Sequence, residues 1–153
     1  MVEGPANGTP THSHPSVGSD NEWTTIFEDV AGQVPFQAIR AEIYRRAREA
    51  GFPEQAAWDL AMAVHEAVVN AATHGSPSRH EDLVRVQHRV RRGFFECRVT
   101  SRNLAWELPP PGRPGSLSRP GLGFFLIRTF VDEVVLDKDS GRSELTLRRK
   151  IPR

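Results

Sequence analysis

The run Glu66-Ala-Val-Val-Asn70-Ala-Ala-Thr-His74-Gly75 decides how this chain is read. It sets a carboxylate, a carboxamide and an imidazole at steps of four inside an Ala-rich, otherwise apolar pattern. Each step of four drifts only ~40° around a helix. Glu66, Asn70 and His74 therefore line one stripe, within side-chain reach of one another. The opposite side carries Leu60, Val64, Ala67, Val68 and Ala71, an apolar face of helical period. A helix that is apolar behind and carries Glu and Asn in front reads as the floor of a site. The plain alternative is a surface helix with a few polar positions. A stop at Gly75 and a second glycine motif downstream favour the site.

Upstream, Pro53 can open this helix, because its missing N–H has no partner at a helix start, and the helix runs to about His74. Before it, Phe36, Ile39, Ile43, Ala47 and Ala50 mark one face of another helix, which stops at Gly51. Trp23 to Val30 suits a short strand. Residues 1–21 hold Gly, Pro, Ser, Thr, Asn and His with hardly an apolar group, so they are read as a disordered tail. His12 and His14 lie in that tail with nothing nearby to complete a metal site.

Downstream, Val84, Val86, His88 and Val90 alternate against Arg85, Gln87 and Arg89. Phe95, Cys97 and Val99 alternate against Glu96 and Arg98. Arg92-Gly93 between them is a hairpin turn. His88 falls on the inward side and is read as a core histidine. Residues 102–120 form a Pro-rich loop, with Pro109, Pro110, Pro111, Pro114 and Pro120. Gly121-Leu122-Gly123-Phe124 then leads into a helix that ends near Asp132. Val134 and Leu136 begin a strand, Ser140-Gly141 turns, and Leu145 and Leu147 mark a last strand. This order predicts an α+β fold, a two-layer α/β sandwich with a mixed, largely antiparallel sheet, in one domain over 22–153.

Composition excludes several classes. The 153 residues include 25% charged and 38% hydrophobic side chains, as expected for a globular body. The net charge of +1 gives no argument for nucleic acid or an anionic membrane. No apolar run approaches the ~18 residues that span a bilayer, and the N-terminus lacks a signal pattern. A cytoplasmic address is the expectation. The single cysteine, Cys97, excludes an internal disulfide; alternating with Phe95 and Val99, it is read as core. Partners are expected to be proteins, bound by the helix pair rather than through charge.

Gly121 and Gly123 open a helix directly after a long loop. Unpaired N–H groups and the positive end of the helix dipole make such a start an anion site. Glycine lets a phosphate approach the backbone closely. Alone, a G-x-G before a helix is as often a tight turn. Beside a Glu/Asn helix, it suggests a nucleotide held between a helix floor, a lid and a helix N-terminus.

Taken together, these motifs resemble those of the Bergerat-fold (GHKL) ATPases. Within that group the chain looks most like the small bacterial anti-sigma-factor serine kinases of the RsbW and SpoIIAB type. The resemblance covers roughly Trp23 to Ile151. Its strongest part is E-x-x-x-N-x-x-x-H-G, met by Glu66, Asn70, His74 and Gly75. Next is the G-x-G box, met by Gly121, Gly123 and Phe124. Residues 125–134, Phe-Leu-Ile-Arg-Thr-Phe-Val-Asp-Glu-Val, are also typical of the anti-sigma group. Gly141 falls where the family has a Gly-Thr turn, with Arg142 in place of the threonine. The resemblance implies ATP and Mg²⁺ as cofactors, with Asn70 as the metal ligand and Glu66 as general base toward a serine hydroxyl. His74, Gly75 and the amides of Gly121, Leu122, Gly123 and Phe124 would complete the nucleotide site. The Pro-rich segment would be its lid. It further implies a homodimer that binds a sigma factor and an anti-sigma-factor antagonist.

One motif departs from that pattern. Where the family has D-x-G-x-G, whose Asp bonds the adenine amino group, this chain has Ser101, Asn103 and Ala105. Losing a charge-assisted contact costs ~1.5–3 kcal/mol. Two readings follow: an ATP-dependent serine kinase that also sequesters a sigma factor, or a nucleotide-free binding module of the same fold. A complete histidine kinase is disfavoured, because the chain has no dimerising phospho-acceptor helix.

Overall fold

The computed structural model describes residues 22–102, 121–139 and 141–153. The tail, Asn103, Ala105, the Pro-rich segment and Ser140 lie outside these residues. In chain order the elements are β1 (Thr24–Val30), a 3-10 turn (Ala31–Gln33), α1 (Phe36–Ala50), α2 (Glu54–Thr73), β2 (Leu83–Arg91), β3 (Phe94–Ser101), α3 (Gly121–Phe130), β4 (Glu133–Asp139) and β5 (Arg142–Lys150).

α1 buries Ile39, Ile43 and Ala47 on one face. It ends where Gly51 takes a left-handed φ of 111°. There the N–H of Gly51 bonds the Arg48 carbonyl at 3.1 Å, and the N–H of Phe52 bonds that of Ala47 at 3.0 Å. This pairing satisfies two of the carbonyls that every helix end leaves unpaired, and glycine adopts the required φ without a Cβ penalty. Phe52 then drops into the core. α2 starts one residue after Pro53 and buries Ala57, Leu60, Ala61, Ala63, Val64, Ala67, Val68, Ala71 and Ala72. Most of these side chains are small, so α2 lies in the middle of its layer, packed on both α1 and α3 and against β3.

The five strands form one sheet in the order β1-β2-β3-β5-β4. Its helix-facing side is apolar: Val84 and Val86 on β2, Phe95, Cys97 and Val99 on β3, and Leu145 and Leu147 on β5 are all fully buried. The β2–β3 turn has positive φ at both Arg92 (52°) and Gly93 (78°), the backbone of a two-residue hairpin whose twist matches its strands. Every described pairing is antiparallel. The expected mixed character is therefore corrected: β5, not β4, lies beside β3, so the strand that parallels β3 is moved to the edge. Val90, expected in the core, is 38% exposed. Pairing with β1 begins at Thr24 opposite His88 and leaves Val90 uncovered on that side.

The other face of the sheet is polar and internally neutralised. Glu96, 4% exposed, receives both Arg89 and Arg148, and Arg148 reaches on to Glu133. Arg89 and Arg98 stack over the Trp23 ring at 4.1 and 4.3 Å. This row runs from Trp23, just ahead of β1, across β2, β3, β5 and β4, so the exposed face is tied together by charge pairs and ring stacking while the hidden face is packed by apolar groups.

His88 is buried on the helix-facing side, as its alternation predicted. Its Nδ1 lies 3.2 Å from the Glu96 carbonyl oxygen and its ring 4.2 Å from that of Phe95. Burial, helped by the nearby Arg46 charge, lowers its pKa to about 4. The neutral ring is favoured in the fold, while the unfolded chain takes up a proton near the ordinary histidine value of 6.5. Stability is thus full above that value and falls as pH drops toward 4. Burial likewise pushes the Cys97 thiol up to about 12, leaving it a core group with little thiolate at neutral pH.

α2 ends directly on β3. The N–H groups of His74 and Gly75 both bond the Asn70 carbonyl, at 2.8 and 3.0 Å, and Ser76 Oγ donates to the Ala71 carbonyl at 2.9 Å. Gly75 is buried against Ser101. A Cβ placed there would lie 2.6 Å from Ser101 Oγ and 2.7 Å from the Ala71 carbonyl oxygen. Gly75 has no positive φ, so space, not conformation, requires glycine.

Two outcomes are expected. Gly75→Ala should cost about 1–3 kcal/mol in urea unfolding. Adding Ser101→Gly should recover only part of it, because the Ala71 carbonyl still blocks the methyl; full recovery would show that Ser101 is the whole obstacle. Between pH 7 and pH 5 the protein should lose about 2 kcal/mol of stability to His88. A His88→Leu variant should show that much less acid sensitivity, and an unchanged pH slope would contradict the assignment.

Candidate functional site

α2 carries two of the stripe residues within the helix and the third at its end. Glu66 is half-buried, Asn70 is 7% exposed, and His74 is exposed at the C-cap. The drift of the stripe explains the order: four residues on from Glu66 the helix has rotated Asn70 inward, and by His74 the helix has ended. Asn70 Nδ2 is buried and has no hydrogen-bond partner among the described residues. A half-turn of the amide puts its oxygen at the same place, so the position offers either a donor or an acceptor.

Ser101, the last residue of β3, is 2% exposed, and its Oγ also lacks a partner among the described residues. Leaving a buried polar group unpaired costs about 1–3 kcal/mol. Asn70 and Ser101 are two of the seven side chains with such an atom among the described residues, one a turn before the end of α2 and one at the end of the strand it packs on. Gly121 to Phe124, the second predicted motif, form the first turn of α3, and α3 packs on α2. The start of α3, like every helix start, leaves N–H groups without a partner inside the helix, and α3 packs on the helix that carries Glu66 and Asn70.

The structure adds residues that the motifs did not single out. Ser143 lies directly across from Ser101 and is fully buried. Its alternation with Leu145 and Leu147 was the available signal. Asp82 is a buried carboxylate that fastens the segment after Gly75. Its Oδ2 accepts the Ser78 N–H at 2.7 Å, its Oδ1 accepts Arg102 Nη1 at 3.1 Å, and its carbonyl accepts the Ala31 N–H at 2.8 Å. It thus ties the α2–β2 connection both to the exit of β3 and to the turn after β1. Nothing in the local sequence around Asp82 signals this. A cavity of about 410 Å³ opens at this end of the sheet, with Arg85, Thr100, Ser101, Arg102 and Arg142 among its walls.

On the other flank of Glu66 a shallow groove runs between α1 and α2, past Phe36, Arg40, His65 and Val69. His65 meets Phe36 edge-on, with ring centroids 6.2 Å apart. Burial first, then the Arg40 charge, lowers the pKa of His65 below the ordinary histidine value. Tyr44 and Trp58 stack at 4.2 Å further along the same helix pair. Among the described residues no three His, Cys, Asp or Glu side chains gather as a metal site. A cation here would take one protein oxygen from Asn70 and the rest from a nucleotide and water, the usual arrangement for Mg²⁺. No helix among the described residues is long and apolar enough to cross a membrane.

Comparison with known proteins agrees with this geometry. The serine-protein kinase RsbW of Listeria innocua is 31% identical over 107 residues, covering 63% of this chain and 68% of its own. The anti-sigma F factor of Clostridium beijerinckii is 28% identical over 99 residues, covering 60% and 68%. Among solved structures, one of RsbU and RsbW domains from Mycobacterium tuberculosis superposes with a TM-score of 0.59 at 18% identity. It covers 85% of this chain, which spans 32% of that longer one. The histidine kinase domain of a blue-light-activated kinase from Erythrobacter litoralis superposes with a TM-score of 0.52 at 17% identity, covering 80% of this chain and 61% of its own. Residues 33–149 match the pattern of the histidine kinase-like ATPase domain, and the match takes in both the Glu66–Gly75 run and the Gly121–Phe124 helix start. The chain belongs to the histidine kinase-like ATPase domain family.

Proposed function

We propose that this chain is an ATP-dependent protein serine kinase that sequesters a sigma factor and phosphorylates an antagonist protein, acting as a homodimer in the cytoplasm. The observation that carries the reading is Asn70: a buried carboxamide with an unpaired atom, one helical turn beyond a half-buried Glu66. A helix with no ligand to bind gains nothing by burying an unsatisfied amide among alanines. The names of the relatives, a serine-protein kinase and an anti-sigma F factor, point the same way.

The buried Asn70 and Ser101 fit a nucleotide with its metal. Asn70 would supply a hard oxygen to Mg²⁺, which when bound offsets the negative charge of the phosphates. The first-turn amides of α3, Gly121 to Phe124, would hold phosphate oxygens, where missing Cβ atoms permit a close approach. His74 and Gly75 would close the end of the site. Glu66 would accept the proton of the attacking serine hydroxyl on the protein substrate and hold it on its carboxylate. Phosphoryl transfer asks the protein mainly for positioning and electrostatics. Residues on a rigid, alanine-packed helix meet that need.

A second reading rests on one observation. Ser101 stands where a charged acceptor for adenine is expected, so a nucleotide-free binding module of the same fold is the alternative. Calorimetric titration with ATP and Mg²⁺ separates the two, since the module gives no heat of binding.

In the kinase reading, Glu66→Gln keeps its shape but cannot take a proton. It should abolish transfer to the antagonist's serine while leaving nucleotide and partner binding nearly intact; undiminished transfer would remove Glu66 from the role. Asn70→Ala should weaken Mg²⁺-dependent ATP binding, and equal affinity in both proteins would reject the metal role. The combined change Ser101→Asp, Asn103→Gly, Ala105→Gly should strengthen ATP binding by about ten- to hundredfold, the worth of one charge-assisted hydrogen bond. A repaired protein that still binds nothing would favour the module.

A further inference from the structure

We infer that the end of the sheet farthest from Ser101 is a protein-docking surface, which holds an acidic, extended segment of a partner against the β2–β3 hairpin and the end of β5. The inference is independent of the nucleotide reading.

The chain as a whole is nearly neutral, with a net charge of +1, but folding does not spread that charge evenly. Arg91, the last residue of β2, pairs with Phe94, the first of β3, and Phe94 pairs with Lys150, the last of β5. Opposed residues of an antiparallel pair project to the same face, so on the outer face a ring stands between two cations. Arg92 is exposed in the turn beside them. The Ile151 N–H bonds the Gly93 carbonyl at 2.8 Å, which keeps the segment carrying the exposed Arg153 next to that turn. On the helix side of the same end, Arg48 donates to the Phe52 carbonyl at 3.1 Å and Arg149 to the Phe130 carbonyl at 3.0 Å. Carbonyl oxygens hold these two guanidinium groups without cancelling their charge.

The nearby acids are mostly engaged. One row further in, Glu96 lies between Arg89 and Arg148, and Arg148 also reaches Glu133. Glu42 and Glu49 pair with Arg45, and Glu42 with Arg46. Asp132 accepts the backbone N–H of Lys150 at 2.6 Å, and Glu54 is exposed at the start of α2. Arg91, Arg92, Lys150 and Arg153 have no acidic partner among the described residues. The Nε of Arg91 is buried there with no hydrogen-bond acceptor.

The size of the patch decides its partner. Duplex nucleic acid is held by ~6–10 phosphate contacts along its backbone. The row from Arg91 to Lys150 spans only two inter-strand steps, ~10 Å. An extended peptide sets alternate side chains ~7 Å apart on one face. Acids on such a segment reach Arg91, Arg92 and Lys150, while an apolar side chain between them rests by Phe94, whose ring the Arg148 guanidinium already holds at 4.2 Å. β3 runs from Phe94 to Ser101, a length of ~23 Å, so a partner docked here leaves the Asn70 and Ser101 end open.

The test is fluorescence anisotropy of a labelled peptide of alternating glutamate and leucine, about ten residues long, added to the full chain. Binding is expected at ~50 mM salt and should weaken about tenfold by ~300 mM, as surface charge pairs require. Arg92→Glu with Lys150→Glu should weaken it by about tenfold or more. Arg79→Glu with Lys138→Glu makes the same change in net charge at the opposite end of the sheet, and should leave binding within about twofold. Arg153→Glu alone lies beyond the last strand, and should weaken binding about threefold even if the first pair fails to fold. Equal losses in the two double variants overturn the inference, because net charge and not a surface would then be read. No binding of the peptide at low salt overturns it as well. Tighter binding of a single-stranded oligonucleotide or of phosphatidylserine vesicles gives the surface to another class of partner and overturns it. So does salt-sensitive self-association that Arg92→Glu with Lys150→Glu removes, since the occupant would then be a second copy of this chain.

Discussion

The close seat of α2 on the sheet is the constraint on which the rest of this structure depends. α2 turns alanines and valines toward β2 and β3, and just past its last turn Gly75, with no side chain of its own, lies against Ser101 of β3. Small residues let two backbones approach, and each Ångström gained is felt by the groups on the far side of the helix. Asn70 is drawn below the surface by this seat, and Glu66 is left half-buried beside it. A larger residue anywhere along the inward stripe would lift the helix and expose Asn70 to water, where its unpaired atom would be satisfied without a ligand. The apolar packing and the polar site are therefore one arrangement, in which burial makes the unpaired amide costly and so makes a ligand favourable.

The connections fasten this arrangement from outside. Asp82 is the clearest case: a carboxylate almost without exposure, whose bonds join the turn after β1, the segment after α2 and the exit of β3. Charge pairs on the outer face do similar work for the sheet. Glu96 between Arg89 and Arg148 holds β2, β3 and β5 in register from the side the helices do not cover. A buried charge is tolerated in both places because its hydrogen-bonding capacity is met. At the candidate site the opposite holds. There Asn70 Nδ2 and Ser101 Oγ are buried without a partner among the described residues.

Much of this was legible in the residues themselves. The spacing of Glu66, Asn70 and His74 named the helix and the stripe. The alternation through Val84–His88 and Phe95–Val99 named the hairpin, its turn and the buried His88. Gly51 was read as a helix stop and acts as one, with its left-handed φ. Gly75 was read the same way, yet it serves by its missing side chain and not by its backbone angle. Local pattern cannot tell these two uses of glycine apart, because the second depends on Ser101, a residue that only folding brings near. Val90 followed the inward alternation as faithfully as Val86 did, but it lies beyond the start of β1 and stays exposed.

The sequence by itself determined the elements, the face each one buries, and the family pattern that names a nucleotide-type site. These follow from periodicity and from spacings of a few residues, which are properties of the chain near one point. The tertiary structure alone decided that β5 lies between β3 and β4, which makes every described pairing antiparallel. It also decided that Ser143 joins Ser101, and that Asp82 and Arg102 meet across the segment between them. These are contacts between groups far apart in sequence. Their energies depend on how well whole surfaces fit, and no short stretch of residues carries that information.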